Sequence, residues 1–160
     1  MRDEPYKTHL PHLADMQSYV GKELGLTEWI EVTQERVNQF AEATEDLQWI
    51  HTDPEMAAKH SPYGRTIAHG FWVLSMASRF VELTVEIDDV GMGLNYGLDR
   101  VRFPNATPVG GRIRARVGLM ELKEIPGGAH FKVQVTVEVE GEEKPACVAE
   151  FIARSFVKPA

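Results

Sequence analysis

A chain of 160 residues is long enough for one compact domain with a real core and too short for two ordinary ones. Its 43% hydrophobic and 26% charged residues exclude the low-hydrophobicity classes that stay disordered. The formal net charge of -7 argues against broad contact with nucleic acid or an anionic membrane, since both need a positive face. Cys147 is the single cysteine, so no disulfide can form within the chain, and a reducing compartment fits best. The start, Met1-Arg2-Asp3-Glu4-Pro5, is acidic where a signal peptide would be basic. The most apolar stretch, Phe71 to Leu83, is broken by Ser75, Ser78, Arg79 and Glu82, so it falls short of a membrane span. The cytoplasm is the expected location.

In chain order, Leu13, Met16, Val20 and Leu24 suggest a short amphipathic helix before Gly25, and Trp29, Ile30 and Val32 a strand. Thr33 can cap a helix that carries Val37, Phe40, Ala41 and Thr44 on one stripe and ends near Thr44, with Glu35 in its first turn. Asp53 as cap and Pro54 at the first helical position start a second helix that runs to about His60, stopped by Ser61-Pro62-Tyr63-Gly64. From His69 to about Thr84, apolar residues cover most of the helical circumference, which predicts a long buried helix about 24 Å in length.

The second half reads as strands: Leu94 to Phe103, Arg112 to Leu122, His130 to Glu140 and Ala146 to Val157, separated by Pro- and Gly-containing turns. Helices followed by an antiparallel run indicate an α+β fold. Arg100 and Arg102 share one strand face, as do Arg112, Arg114 and Arg116, with Val101, Ile113, Ala115 and Val117 alternating inward. Alternation alone leaves two readings of these arginines open: a solvated outer face balanced by acids, or contacts to phosphates or a partner subunit.

Between the first two long helices, Asp46-Leu47-Gln48-Trp49-Ile50-His51 places an acid and a histidine on one loop whose Leu47, Trp49 and Ile50 look apolar enough to pack inward. Polar groups beside them would be partly desolvated, where pKa values shift most readily. Spacing alone favours a plainer reading, in which Asp46 closes the helix and His51 satisfies a backbone group. His69 at a helix start and Ser75 and Ser78 inside it have ordinary structural readings too. His51, His60 and His69 lack a His-Glu-x-x-His pair or a compact carboxylate cluster, so no metal is expected. Gly91-Met92-Gly93 lacks the spacing of a nucleotide loop, and Cys147 reads as a small core residue.

The wider string shifts the balance. Phe40-Ala41-Glu42-Ala43-Thr44-Glu45-Asp46, then Ile50-His51-Thr52-Asp53-Pro54, then Ile67-Ala68-His69-Gly70 resembles the MaoC-like, or type 2, enoyl-CoA hydratases of the hot-dog superfamily. Asn95-Tyr96-Gly97-Leu98, Val101-Arg102-Phe103-Pro104 and Lys144 to Glu150 resemble its NodN-like branch, and the similarity runs from Leu13 to the C-terminus. The resemblance implies a hot-dog domain over residues 13–160, a central helix wrapped by a curved antiparallel sheet, behind an N-terminal arm of residues 1–12. It implies a homodimer with a sheet continuous across the interface. It implies (R)-specific hydration of trans-2-enoyl-CoA thioesters without metal or organic cofactor, CoA being part of the substrate.

By the same resemblance Asp46 and His51 jointly hold the attacking water, with Asp46 favoured as base although a coupled pair does not disclose the order. The resemblance further gives the Gly70 N–H the thioester carbonyl oxygen to hold and Ser78 a pocket-lining place, while Gln48, Trp49 and His69 stand where they could line the same pocket. Gln48-Trp49 replaces the family's usual Asn-Pro, which puts substrate shape in question more than chemistry. Because fold alone never fixes function, an acyl-CoA thioesterase and a non-catalytic acyl-CoA-binding protein stand as alternatives.

Overall fold

A computed structural model describes residues 2–159. Strand β1 (Tyr6–Leu10) is followed by a 3-10 helix (Leu13–Tyr19), β2 (Glu23–Leu26) and β3 (Ile30–Glu31). Then come α1 (Gln34–Thr44), α2 (Trp49–Thr52), α3 (Pro54–His60), β4 (Ile67–Ala68), α4 (Gly70–Ser75) and α5 (Ala77–Thr84). The chain closes with β5 (Val85–Ile87), β6 (Val90–Arg102), β7 (Thr107–Pro108), β8 (Arg112–Ile125), β9 (Gly128–Val139) and β10 (Cys147–Val157).

The strands form a curved sheet in the order β5-β1-β2-β8-β9-β10-β6, with β3 added beside β8. All its pairings are antiparallel except β1 with β5. Strict alternation fills the concave face with Ile113, Ala115, Val117 and Leu119 of β8, and Phe131, Val133, Val135 and Val137 of β9. Trp72, Val73, Ala77 and Phe80 of the central helix are buried in the same cluster. This is the hot-dog arrangement.

The caps expected at Thr33 and Asp53 are present: Thr33 Oγ1 accepts from the Arg36 N–H at 3.3 Å and Asp53 Oδ1 from the Met56 N–H at 2.9 Å. α1 ends at Thr44, as its stripe predicts.

Four expectations need correction. Tyr6–Leu10, placed by sequence in an arm ahead of the domain, pair with both β2 and β5. Leu24 belongs to β2 and is fully buried there, because the segment before Gly25 stops as a 3-10 helix at Tyr19 and turns into the sheet. The central helix is not continuous: Ser75 Oγ donates to the Trp72 carbonyl at 2.7 Å, and the Met76 N–H falls back to Val73, tightening the turn between α4 and α5. Nor is this helix buried all round. It lies on one face of the sheet, leaving Phe71 68% exposed.

Gly25 sits where β1, β2 and the end of α5 converge. A Cβ there would lie 2.6 Å from both the Thr84 and Tyr6 carbonyl oxygens, so only glycine permits this approach.

The outward face of β8 decides between the two readings of its arginines. Arg112 pairs with Glu140, Arg114 with Glu138 at 2.6 Å, and Arg116 with Glu23 and Glu138 at 3.2 Å each. These are balanced cross-strand pairs on an outer face. Arg100 and Arg102 stand exposed on the edge strand β6, and among the described residues neither has a carboxylate partner.

Candidate functional site

The site is assembled by three segments that the fold brings together: the turn after α1, the single turn α2, and the junction of β4 with α4. α1 ends on Glu45, whose backbone is left-handed (φ 60°, ψ 18°), and this turns the chain sharply into Asp46. Asp46 is half-exposed, with 52% of its side chain open to solvent. Leu47 at 62% and Trp49 at 36% are exposed as well, and Gln48 with them. The expectation that Leu47, Trp49 and Ile50 pack inward is therefore corrected: α2 turns only His51 fully into the protein, and Ile50 is half-buried.

His51 Nδ1 lies 2.7 Å from the Ile67 carbonyl oxygen. A carbonyl only accepts, so Nδ1 carries the hydrogen and Nε2 presents a lone pair. Burial holds the pKa of His51 below its ordinary value of 6.5, the Ile67 bond opposes this, and neighbouring His69 adds to the lowering. The ring is neutral at pH 7, as a proton acceptor must be.

Gln34 braces this segment and was invisible to motif reasoning. Its Nε2 donates to the His51 carbonyl at 2.7 Å, and its Oε1 accepts from the hydroxyl of buried Thr66 at 2.6 Å. Position 34 reads from sequence as an ordinary first-turn polar residue. Only the return of the chain at Thr66 gives it a role.

A cleft of about 360 Å³ opens beside His51 and is lined by Tyr63, Ile67, Gly70, Phe103 and Asn105, among others. Gly70 is the first residue of α4, and among the described residues its N–H has no acceptor, as expected of a first helical turn. A Cβ at Gly70 would sit 3.1 to 3.3 Å from the Phe103 ring, so glycine keeps the cleft wall and its amide accessible together. Ser78 lies elsewhere. Its Oγ donates to Asn95 Oδ1 at 2.7 Å and it lines separate cavities between α5 and β6.

His69 is 3% exposed and packs behind the cleft, its ring stacked on His51 at 3.8 Å between centroids and 27° between planes. Asp46, His51 and His69 bring potential ligand atoms within 4.8 Å of one another, so a carboxylate does accompany two of the histidines; His60 is not in the group. The set fits a metal poorly. An ion bound by imidazole lies in the ring plane, and two rings stacked face to face do not direct their lone pairs to one point. Cys147 is buried, and desolvation pushes its thiol up to about 11, as suits a core residue and not a nucleophile. No helix among the described residues is long and apolar enough to cross a membrane.

The chain matches the MaoC-like domain family over residues 15–143. It is 47% identical over 143 residues to the protein named 3-hydroxyacyl-thioester dehydratase Z of Mycobacterium tuberculosis, covering 89% of this chain and 94% of that one. It is 47% identical over 148 residues to nodulation protein N of Rhizobium leguminosarum, covering 90% and 91%. Among solved structures, the (R)-hydratase from A. caviae involved in PHA biosynthesis superposes with a TM-score of 0.62 at 23% identity, covering 79% and 89%; this likeness speaks for the fold. The grouping of a neutral histidine, an acid and a free helix-start amide on a hot-dog scaffold thus agrees with descent: the chain belongs to the MaoC-like dehydratases, on their NodN-like branch, and is a hydro-lyase.

Proposed function

We propose that this protein interconverts trans-2-enoyl-CoA and (R)-3-hydroxyacyl-CoA, with Asp46 and His51 as the catalytic pair. The observation that carries the proposal is the His51–Ile67 bond, which commits Nδ1–H and leaves the Nε2 lone pair free, on a ring that has a nitrogen within 4.8 Å of an Asp46 carboxylate oxygen. Both groups accept hydrogen bonds, so one water donates to both. As its oxygen attacks the β-carbon, the pair takes its proton and returns one to the α-carbon from the same side, which gives syn addition. The Gly70 N–H receives the charge that develops on the thioester oxygen. The reaction needs neither metal nor organic cofactor, and CoA enters as part of the substrate.

The name of the 47% identical dehydratase supports a hydroxyacyl thioester as the other side of this equilibrium. Gln48, Trp49 and Tyr63 lie about the loop and cleft mouth and would shape acyl preference, while Arg100 and Arg102, exposed and without a carboxylate partner among the described residues, are candidates to meet CoA phosphates. We also propose a cytoplasmic homodimer joined through β6. The support is that among the described residues β6 pairs with β10 alone, which leaves its other edge free, and that its Met92, Leu94, Tyr96 and Leu98 are exposed.

The test is turnover of short, medium and long trans-2-enoyl-CoA substrates, followed by enoyl absorbance, with product chirality determined. Loss of absorbance with an (R) product is expected. Free thiol release from a saturated acyl-CoA would mark a thioesterase, and binding of crotonyl-CoA without conversion would mark a non-catalytic binder.

A further inference from the structure

His69 was expected on sequence to line the pocket, yet the cleft wall runs through His51, Ile67, Ala68 and Gly70 and leaves its ring behind them. His69 Nε2 lies 3.0 Å from the backbone carbonyl oxygen of Asp46. Because that partner only accepts, Nε2 carries the hydrogen and Nδ1 keeps a lone pair. Among the described residues the buried Nδ1 has no partner, which costs the fold something that a leucine of similar bulk would not. The rest of the ring is held by apolar and stacking contacts: His51 on one side at 3.8 Å and Phe40 at 5.0 Å.

Asp46 has little else to hold it. It follows a left-handed residue, is half-exposed, and among the described residues makes no hydrogen bond other than this one. His51, by contrast, is fixed at its ring by Ile67 and at its carbonyl by Gln34.

We propose that His69 is a positioning residue that sets the separation of Asp46 from His51, stacking on the immobile histidine and donating through Nε2–H to the backbone carbonyl of the otherwise untethered Asp46. The inference rests on the proposed hydration, in which both groups must reach one water. His69 touches no substrate atom in this role. It transmits the rigidity of His51 to Asp46, and the idle Nδ1 is the cost of presenting a donor on the far side of the ring.

The test compares the full-length wild type with His69→Leu, which keeps bulk without the donor, and His69→Gln, whose amide nitrogen reaches the place of Nε2. Crotonyl-CoA hydration and hydrogen exchange across residues 45–52 are measured on each. In His69→Leu, kcat should fall about 10- to 100-fold, because small misplacements of reacting groups are that costly. KM should stay within about twofold, since binding is not touched. Exchange should quicken in residues 45–52 and stay unchanged in β8 to β10. His69→Gln should restore most of the rate and the protection. Should the leucine variant fail to fold, His69→Asn, whose amide stops at the place of Nδ1, replaces it with the same expectations. Wild-type kcat in the variant lacking the donor, or a glutamine variant no better than it, would overturn the inference. If the wild type hydrates no enoyl-CoA, the functional reading fails by itself, and the exchange comparison still decides whether His69 holds Asp46.

Discussion

The Ile67 carbonyl oxygen accepts from His51 Nδ1–H at 2.7 Å, so the strand that leads into the central helix also fixes which nitrogen of His51 is free. An asparagine places its amide nitrogen where Nδ1 stands and has nothing at Nε2. His51→Asn should therefore keep the Ile67 bond and fold normally, while hydration drops by about 10² to 10⁴. Circular dichroism with steady-state kinetics checks both. A variant retaining a tenth of the activity would show that Nε2 is not the acceptor.

The depressed pKa of His51 predicts a pH profile. Because the folded value lies below 6.5, the ring stays neutral as pH falls through 6.5, and the acid limb of kcat/KM should lie below that point. For stability, the unfolded chain binds the proton first on acidification, so the contribution is complete above 6.5 and declines as pH falls towards the folded value. His51→Asn should flatten that decline in thermal melts over the same window.

Gln34 links α1, the His51 carbonyl and Thr66. Gln34→Leu leaves both partners unsatisfied in a buried setting and should destabilise by about 1–3 kcal/mol. In melts this is a drop of several degrees. It should also lower kcat, since the brace holds the backbone of the catalytic histidine.

Glu45 occupies a backbone region that costs an L residue roughly 1–2 kcal/mol. Glu45→Gly removes that strain and should leave stability equal or slightly higher, whereas Glu45→Val should lose about 1–2 kcal/mol. Denaturant midpoints read the difference.

Gly25→Ala tests the closure of the sheet by β1. A methyl group 2.6 Å from two carbonyl oxygens must push β1 or α5 away, at about 1–3 kcal/mol. If β1 were a loose arm it would yield at Tyr6, leaving only the clash with Thr84 and a smaller loss.

What could be read from the chain follows the range of the forces involved. The caps at Thr33 and Asp53 and the alternation of β8 to β10 are local, and the structure has them where the sequence puts them. The spacing of Leu24 from Val20 suits a helix as well as a strand's end, and only the partner strand decides. β1 carries no local signal, since its pairing with β5 joins residues far apart in sequence. In the site, Asp46 and His51 were legible through the motif and not through spacing. The inward packing expected of Leu47 and Trp49 failed because α2 is a single turn whose buried side is set by β4. Gln34 and the role of the Ile67 carbonyl carry no sequence signal, since a backbone oxygen looks alike at every position.

The most direct measurement of the central claim is crotonyl-CoA hydration by Asp46→Asn, with its melting temperature taken alongside. The exposed position of Asp46 allows the amide without disturbing the core. The account predicts an unchanged melting temperature and a kcat/KM lowered by about 10² or more. Wild-type-like turnover by this variant would contradict it.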